Sequence, residues 1–306
     1  MSMEQLLENI RAKRNPTVMG LDPDLSLIPQ QIREEALNRF GDTFEAAGEA
    51  IWNFNKQLID VCADLIPAVK PQSAFYEMYG LPGLAALERT IQYAKNAGLY
   101  VILDGKRNDI GNTAKAYAAA FLGKTALFFS DAEATPVDAL TVNPYLGFDG
   151  VEPFLKTAAE FQKAIFILVK TSNASSGDFQ DIDAGGAPLY RRVAEKVELW
   201  GENAIGASGY SPCGAVVGAT YPRQLAELRA AMPHTFFLIP GYGAQGGSAK
   251  DLTDAFASDG SGAVVNSSRG LIYAYRSKKD PLHFSDCTRA AVLQMKEDLL
   301  SVCPLS

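Results

Sequence analysis

The run Val101-Ile102-Leu103-Asp104-Gly105-Lys106-Arg107-Asn108-Asp109-Ile110 sets an acid, a base and a second acid at the end of an apolar stretch. In an extended strand, residues i and i+2 project to one face, so Asp104 and Lys106 are expected side by side. Asp109 falls just beyond, in a turn. A lysine caught between carboxylates is costly to bury and poor core material. As a positioned ammonium it is suited to delivering a proton. Lys70 ends another apolar run, Leu65 to Val69, and completes an alternating set of charges with Asp104, Lys106 and Asp109. Each charge favours the ionised form of its neighbours, which suits a general acid. A Schiff-base lysine needs the opposite, a proton affinity lowered by burial or a nearby cation. The plain alternative for the same four residues is an ion-pair network that braces the fold.

Two further constellations point to an anion. One is Pro240-Gly241-Tyr242-Gly243-Ala244-Gln245-Gly246-Gly247, and the other is Asn266-Ser267-Ser268-Arg269-Gly270. Glycines let backbone N–H groups approach a phosphate, and Arg269 adds a two-pronged charged contact. Gly241, Gly243 and Gly246 also satisfy G-x-G-x-x-G. A dinucleotide fold would place that motif after the first strand, with an acid ending the next one. Here it comes late, and Asp259 precedes the following strand instead, so that reading is disfavoured. No G-x-x-x-x-G-K-[ST] loop occurs. Thr171 to Gly177, followed by an acidic, glycine-rich run to Pro188, forms a long polar loop. It is suited to folding over a ligand, with Ser172 placed to bond a polar ring edge.

The elements that must position these residues recur along the chain. Strands are expected at Thr17–Leu21, Leu65–Val69, Tyr100–Leu103, Ala139–Val142, Ile165–Val169, Gly214–Val217, Phe236–Ile239 and Ala263–Val265. Amphipathic stretches lie between them, among them Glu45–Ala63, Gly83–Ala97, Thr113–Phe121, Val151–Glu160 and Pro222–Ala231, and Asp286–Val302 reads as a closing helix. Strands buried on both faces and alternating with helices indicate a parallel α/β fold. Eight such units in 306 residues favour a (β/α)8 TIM barrel of one domain, residues 1–306, over an open sheet. Nearly every expected strand ends in a reactive or polar residue: Asp22, Lys70, Asp104 with Lys106, Asn143, Lys170 and Asn266. A barrel converges those ends on one face, where the loops after the seventh and eighth strands commonly hold phosphate.

Composition narrows the function. A net charge of −7 argues against a nucleic-acid surface. The four cysteines (Cys62, Cys213, Cys287, Cys303) make no C-x-x-C pair, and with only two histidines, His234 and His283, no zinc site is expected. No apolar run approaches the ~18 residues of a membrane span. The segment from Met1 to Arg14 reads as an amphipathic helix of mixed charge, without the basic start and apolar centre of a signal peptide. A reduced, cytoplasmic setting is expected.

These residues resemble the orotidine 5′-phosphate decarboxylase family, and the resemblance spans almost the whole chain. The family's D-x-K-x-x-D-I signature stands here as Asp104-Gly105-Lys106-Arg107-Asn108-Asp109-Ile110, with Thr113 following. Val69-Lys70-Pro71 resembles the family's second-strand lysine segment, and Gly20-Leu21-Asp22 its first-strand aspartate. The Pro240–Gly247 and Ser268-Arg269 segments resemble its phosphate loops. The insert after the fifth strand is similar to the longer bacterial branch. The resemblance implies conversion of orotidine 5′-monophosphate to uridine 5′-monophosphate and CO2, with no metal and no organic cofactor. It implies that Lys106, Asp104, Asp109 and Lys70 act in catalysis. It further implies substrate contacts from Asp22, Ile110, Thr113, Ser172, Gln245, Ser268 and Arg269. It also implies a homodimer in which Asp109, Ile110 and Thr113 reach into the partner's site. Metal-dependent phosphosugar decarboxylases and synthases share the D-x-K-x-x-D pattern, but their cation wants an acid where this chain has Lys70. A nucleotide-phosphate binding protein without activity would share the barrel and loops, but has no need of the charged set.

Overall fold

The computed structural model describes residues 2–243, 247–303 and 305. Eight parallel strands close into a barrel: β1 (Thr17–Leu21), β2 (Ala68–Pro71), β3 (Tyr100–Arg107), β4 (Ala139–Val142), β5 (Ala164–Lys170), β6 (Cys213–Val217), β7 (Phe237–Ile239) and β8 (Ala263–Ser267). Each strand pairs with its sequence neighbours. Closure comes from β1, which pairs with β2 through Gly20 and Lys70 and with β8 through Thr17 and Val265. The strands are apolar along most of their length because helices cover the outside while side chains fill the inside.

The covering helices are α1 (Ser2–Lys13), α2 (Gln30–Phe40), α3 (Phe44–Cys62), α4 (Gly80–Asn96), α5 (Gly111–Leu122), α6 (Phe148–Glu160), α7 (Leu189–Gly201), α8 (Pro222–Ala231) and α9 (Phe284–Leu300). Helix α3 shows how sequence makes them. The Thr43 hydroxyl caps its N-terminus by accepting from Ala46 N at 3.2 Å, and Ala47, Ile51, Phe54, Leu58 and Cys62 recur at helical spacing on the buried face. Helix α9 closes the molecule against it, with the Phe54 and Phe284 rings 5.4 Å apart. Between β7 and β8 the helical segment is a 3-10 turn, Ala249–Ala255, opened by a reciprocal Ser248–Asp251 capping box.

The structure corrects several sequence expectations. β2 begins three residues later than expected, so Lys70 lies within the strand rather than after it. β3 runs four residues further than expected and carries Asp104 and Lys106 itself. Helices α2 and α7 and a two-residue antiparallel ladder, Thr125–Ala126 with Asp131–Ala132, were not foreseen. The loop after β5 contains helical turns at Ala174–Ser176 and Gly177–Gln180. Its polar composition masked them, because local turns satisfy backbone groups without an apolar stripe.

Strand packing leaves little slack. A Cβ built on Gly214 of β6 would stand 2.6 Å from the buried Phe166 ring and 3.0 Å from the Phe236 carbonyl oxygen. Gly214→Ala is therefore expected to destabilise the barrel by about 1–3 kcal/mol through overpacking. A urea titration reads this directly, and an unchanged midpoint would show that Phe166 can move aside freely.

Candidate active site

At the C-terminal ends of the strands, the Asp104 carboxylate is the hub. Its Oδ2 accepts from Lys70 Nζ at 2.8 Å and from Gln72 Nε2 at 3.0 Å. Its Oδ1 accepts from Lys106 Nζ at 2.6 Å and from Thr141 Oγ1 at 3.0 Å. Asp104 and Lys70 are 8% and 4% exposed, whereas the Lys106 side chain is 45% exposed and touches the site through Asp104 without lining the cavity beside this hub. Burial by itself pushes the Asp104 carboxyl toward its neutral form. The Lys70 and Lys106 charges outweigh that and hold it well below the usual carboxylate range. Burial likewise opposes the Lys70 charge, but Asp104 and then Asp22 raise its proton affinity above the ordinary value.

Lys106 reaches this position through an irregular backbone. Leu103 pairs with Leu140 and Arg107 with Val142, so β3 carries extra residues against β4. Within this bulge Lys106 has φ +44°, a left-handed conformation that costs roughly 1–2 kcal/mol for a residue with a side chain. Such strain persists where surrounding contacts enforce it, and it marks candidate functional positions.

A cavity of about 170 Å³ opens beside this hub. Asp22, Lys70, Gln72 and Asp104 line one end, and Pro240, Gly241, Tyr242, Asn266, Ser268 and Arg269 the other. The loop after β1 is held by Tyr273, whose hydroxyl donates to the Asp22 carbonyl (3.1 Å) and accepts from Asp24 N (2.6 Å). Asp22 Oδ1 and Asn266 Oδ1 are both buried without a donor among the described residues, an arrangement that suits hydroxyl or amide groups of a ligand. Ser268 sits over Gly20, where a Cβ would lie 1.9 Å from its hydroxyl oxygen, so only glycine leaves room. Gly241 has φ +97° and turns the loop after β7 toward the cavity. Arg269 is exposed at the cavity's edge, and among the described residues no carboxylate pairs with it. Larger grooves exist, including one of about 900 Å³ between α4 and the 125–132 ladder. Its charged residues, Glu88, Arg89, Lys124, Asp131 and Glu133, are all exposed, whereas the smaller cavity is lined by the buried Lys70–Asp104 pair at the strand ends, so the chemistry assigns the site to the smaller cavity.

The remaining sequence candidates fall elsewhere. Gln245 lies outside the described residues. Asp109 stands apart from the expected set of four: its Oδ1 accepts from Ile110 N at 2.8 Å, and among the described residues it has no ion-pair partner. Ile110 and Thr113 are exposed and do not line the cavity. Ser172 is half-buried and packs against Gly218 after β6. Asn143 holds a turn by accepting from Tyr145 N at 3.0 Å. Lys170 is turned away from the site: it is 1% exposed, pairs with Asp181 Oδ1 at 2.6 Å and lies over the Tyr221 ring at 4.9 Å. It anchors the loop after β5. Sequence reasoning missed Gln72 and Thr141. Gln72 was accessible as the i+2 neighbour of Lys70, and Thr141 as a hydroxyl inside the apolar run Ala139–Val142. Among the described residues no three His, Cys, Asp or Glu side chains gather as a metal site.

The structure is a closed (β/α)8 barrel with an ion-paired lysine centre on one side of its mouth and glycine, serine and arginine on the other, the arrangement of a barrel enzyme whose site lies at the strand ends. Comparison with known proteins is specific. Residues 42–280 match the model of the orotidine 5′-phosphate decarboxylase / HUMPS family, and the chain belongs to that family. It is 46% identical to an orotidine 5′-phosphate decarboxylase of Rhodopirellula baltica, over 92% of this chain and 93% of that protein. It is 41% identical to one from Caldicellulosiruptor saccharolyticus, over 90% of each. Among solved structures, a Leishmania donovani OMP decarboxylase superposes with a TM-score of 0.74 at 35% identity, covering 98% of both chains. A UMP synthase of the same organism gives 0.73 at 36% identity, over 98% of this chain and 56% of that one.

The buried pair has a measurable signature. Asp104→Asn leaves Lys70 without its counter-charge and is expected to cost about 3–5 kcal/mol near neutral pH. The native carboxyl binds its proton less tightly folded than unfolded, so its contribution is present above about pH 4 and is lost as pH falls through the folded value. The stability gap between wild type and variant should therefore narrow below about pH 4. A gap that held constant into acid would show that Asp104 is not the ionised partner.

Proposed function

We propose that this chain converts orotidine 5′-monophosphate to uridine 5′-monophosphate and CO2, without a metal, in the de novo synthesis of pyrimidine nucleotides. The observation that carries this reading is the Asp104 carboxylate clasped by Lys70 and Lys106 at one end of a cavity whose other end holds Ser268 and Arg269. Family membership and the activity for which the relatives are named support it.

In the proposed reaction the C6–carboxylate bond breaks and its electron pair stays on C6. The Lys106 ammonium lies beside that carbon, stabilises the developing charge and transfers a proton to C6, then regains one from solvent. Asp104 faces the departing carboxylate and disfavours the bound ground state relative to the product of CO2 loss. Lys70 keeps Asp104 ionised and contacts the ribose, whose hydroxyls Asp22 accepts. Ser268, Arg269 and the glycine loop, with Gln245, hold the phosphate. Binding energy gathered at the phosphate, away from C6, can be used for orientation and so raises rate as well as affinity. Ser172 meets the pyrimidine edge when the loop after β5 closes. Both oxygens of Asp104 are taken by ammonium groups, so a divalent cation there would meet positive charge, which supports the metal-free reading over the phosphosugar enzymes.

The active form is proposed to be a homodimer with shared sites. Ile110 is 54% exposed, and Met78 and Leu81 are 63% and 81% exposed. Such apolar exposure suits a covered surface. Asp109 and Thr113, free of the cavity in one chain, would enter that of the partner. No helix among the described residues is long and apolar enough to cross a membrane, and the described cysteines are unpaired, which supports a reducing, cytoplasmic setting.

Ultraviolet absorbance of orotidine 5′-monophosphate with purified protein and excess EDTA tests the activity. Wild type should convert it, and Lys106→Ala should fold yet show no turnover. Near wild-type activity in that variant would remove the proton-donor role. Activity only on phosphosugars with Mg2+ would move the assignment to the metal-dependent relatives. Shared sites have their own test: mixing inactive Lys106→Ala and Asp109→Ala variants should restore about a quarter of wild-type activity, since half the dimers gain one intact site. No restoration in subunits shown to exchange would place each site within one chain.

A further inference from the structure

Resting on the decarboxylase reading above, we propose that Thr141 is a positioning residue for the reaction: its hydroxyl fixes Lys106 and Asp104 relative to each other across the β3 bulge. Leu103 and Leu140 are in register, as are Arg107 and Val142, so Thr141 alone stands opposite Asp104, Gly105 and Lys106. A bulge interrupts the ladder and leaves backbone groups to be satisfied by other means. Thr141 supplies the means. Its Oγ1 accepts from Lys106 N at 2.9 Å and donates its single proton to Asp104 Oδ1 at 3.0 Å.

The direction of both bonds follows from the partners. A backbone N–H can only donate and a carboxylate can only accept, so the hydroxyl has one orientation available. Thr141 is 1% exposed, which leaves no room for water to take over the role. Its branched Cβ restricts the side chain to few rotamers, so the oxygen is held as firmly as the strand. The same Asp104 oxygen receives Lys106 Nζ at 2.6 Å. One hydroxyl thus holds the backbone of the proposed proton donor, in its left-handed conformation, and the anion that aims its ammonium. Thr141 acts through these residues and not on the substrate. Misplacing a reacting group by about 1 Å can lower a rate about a hundredfold, so a clamp on the Lys106 backbone bears directly on proton delivery.

The test compares full-length wild type, Thr141→Val and Thr141→Ser for steady-state turnover of orotidine 5′-monophosphate and for calorimetric binding of uridine 5′-monophosphate. Thr141→Val keeps the shape and removes the hydroxyl, and should lower kcat by about tenfold to a hundredfold while leaving product affinity at the wild-type value. Thr141→Ser restores the hydroxyl and should restore most of kcat. Should the valine variant fail to fold, Thr141→Ala against Thr141→Ser provides the same contrast. A valine variant with wild-type kcat would overturn the proposal. Loss of kcat and product affinity together, or equal losses in the valine and serine variants, would overturn it in favour of simple packing. A folded wild type inert toward orotidine 5′-monophosphate would refute the decarboxylase reading itself, a result distinct from all of these.

Discussion

A buried carboxylate tolerates its surroundings only if its charge is answered and its lone pairs are filled. Asp104 meets that condition with four donors within 3.0 Å, from Lys70, Gln72, Lys106 and Thr141. They come from β2, the turn after it, β3 and β4, so the condition can be met only when three neighbouring strands lie in one register. The dependence runs both ways. Lys70 is more deeply buried than Asp104, and without the carboxylate its ammonium would be an unpaired charge in a low-dielectric interior. The pair therefore ties the barrel's order to the site's electrostatics.

The same centre explains why β3 departs from regular geometry. The bulge brings the Lys106 ammonium to Asp104 while leaving about half of its side chain exposed. The cost is a left-handed backbone at a residue with a side chain, and the local contacts oppose its relaxation. At the other end of the cavity the constraint is space. Gly20 must lack a side chain for Ser268 to sit where it does, and Gly241 must adopt a positive φ for the loop to turn inward. One side of the mouth is built from a buried ion-paired centre, and the other from glycines that make room for Ser268 and Arg269. In the proposed reaction the two sides would serve the two parts of a nucleotide, a reacting ring that takes a proton and a phosphate that needs close backbone approach.

Much of this architecture was legible beforehand. Buried parallel strands leave continuous apolar runs, and all eight were located, with errors at the apolar start of β2 and where strands such as β3 and β8 run on into polar residues. Lys70, Asp104 and Lys106 were identified from charge placed against apolar runs. The predicted contact between Asp104 and Lys106 is present, but for a different reason, since a bulge and not an even strand brings them together. Lys170 had the same sequence appearance as Lys70, a lysine closing an apolar strand. The structure nevertheless gives it a wholly structural partner in Asp181, because which carboxylate a lysine meets depends on a loop eleven residues along the chain and not on its own neighbours.

The sequence by itself determined the alternation of elements, the positions of the charged and glycine-rich segments, and the family to which they point. Those features are local, written in hydrophobic period, motif spacing and residue type. Tertiary structure alone decided that Thr141 and Gln72 complete the coordination of Asp104, that Asp109 stays outside it within one chain, and that Lys170 braces a loop. Each of these depends on distances between strands or loops far apart in the chain. Side-chain chemistry can state what a buried charge requires, but only the closed barrel determines which residues are near enough to provide it.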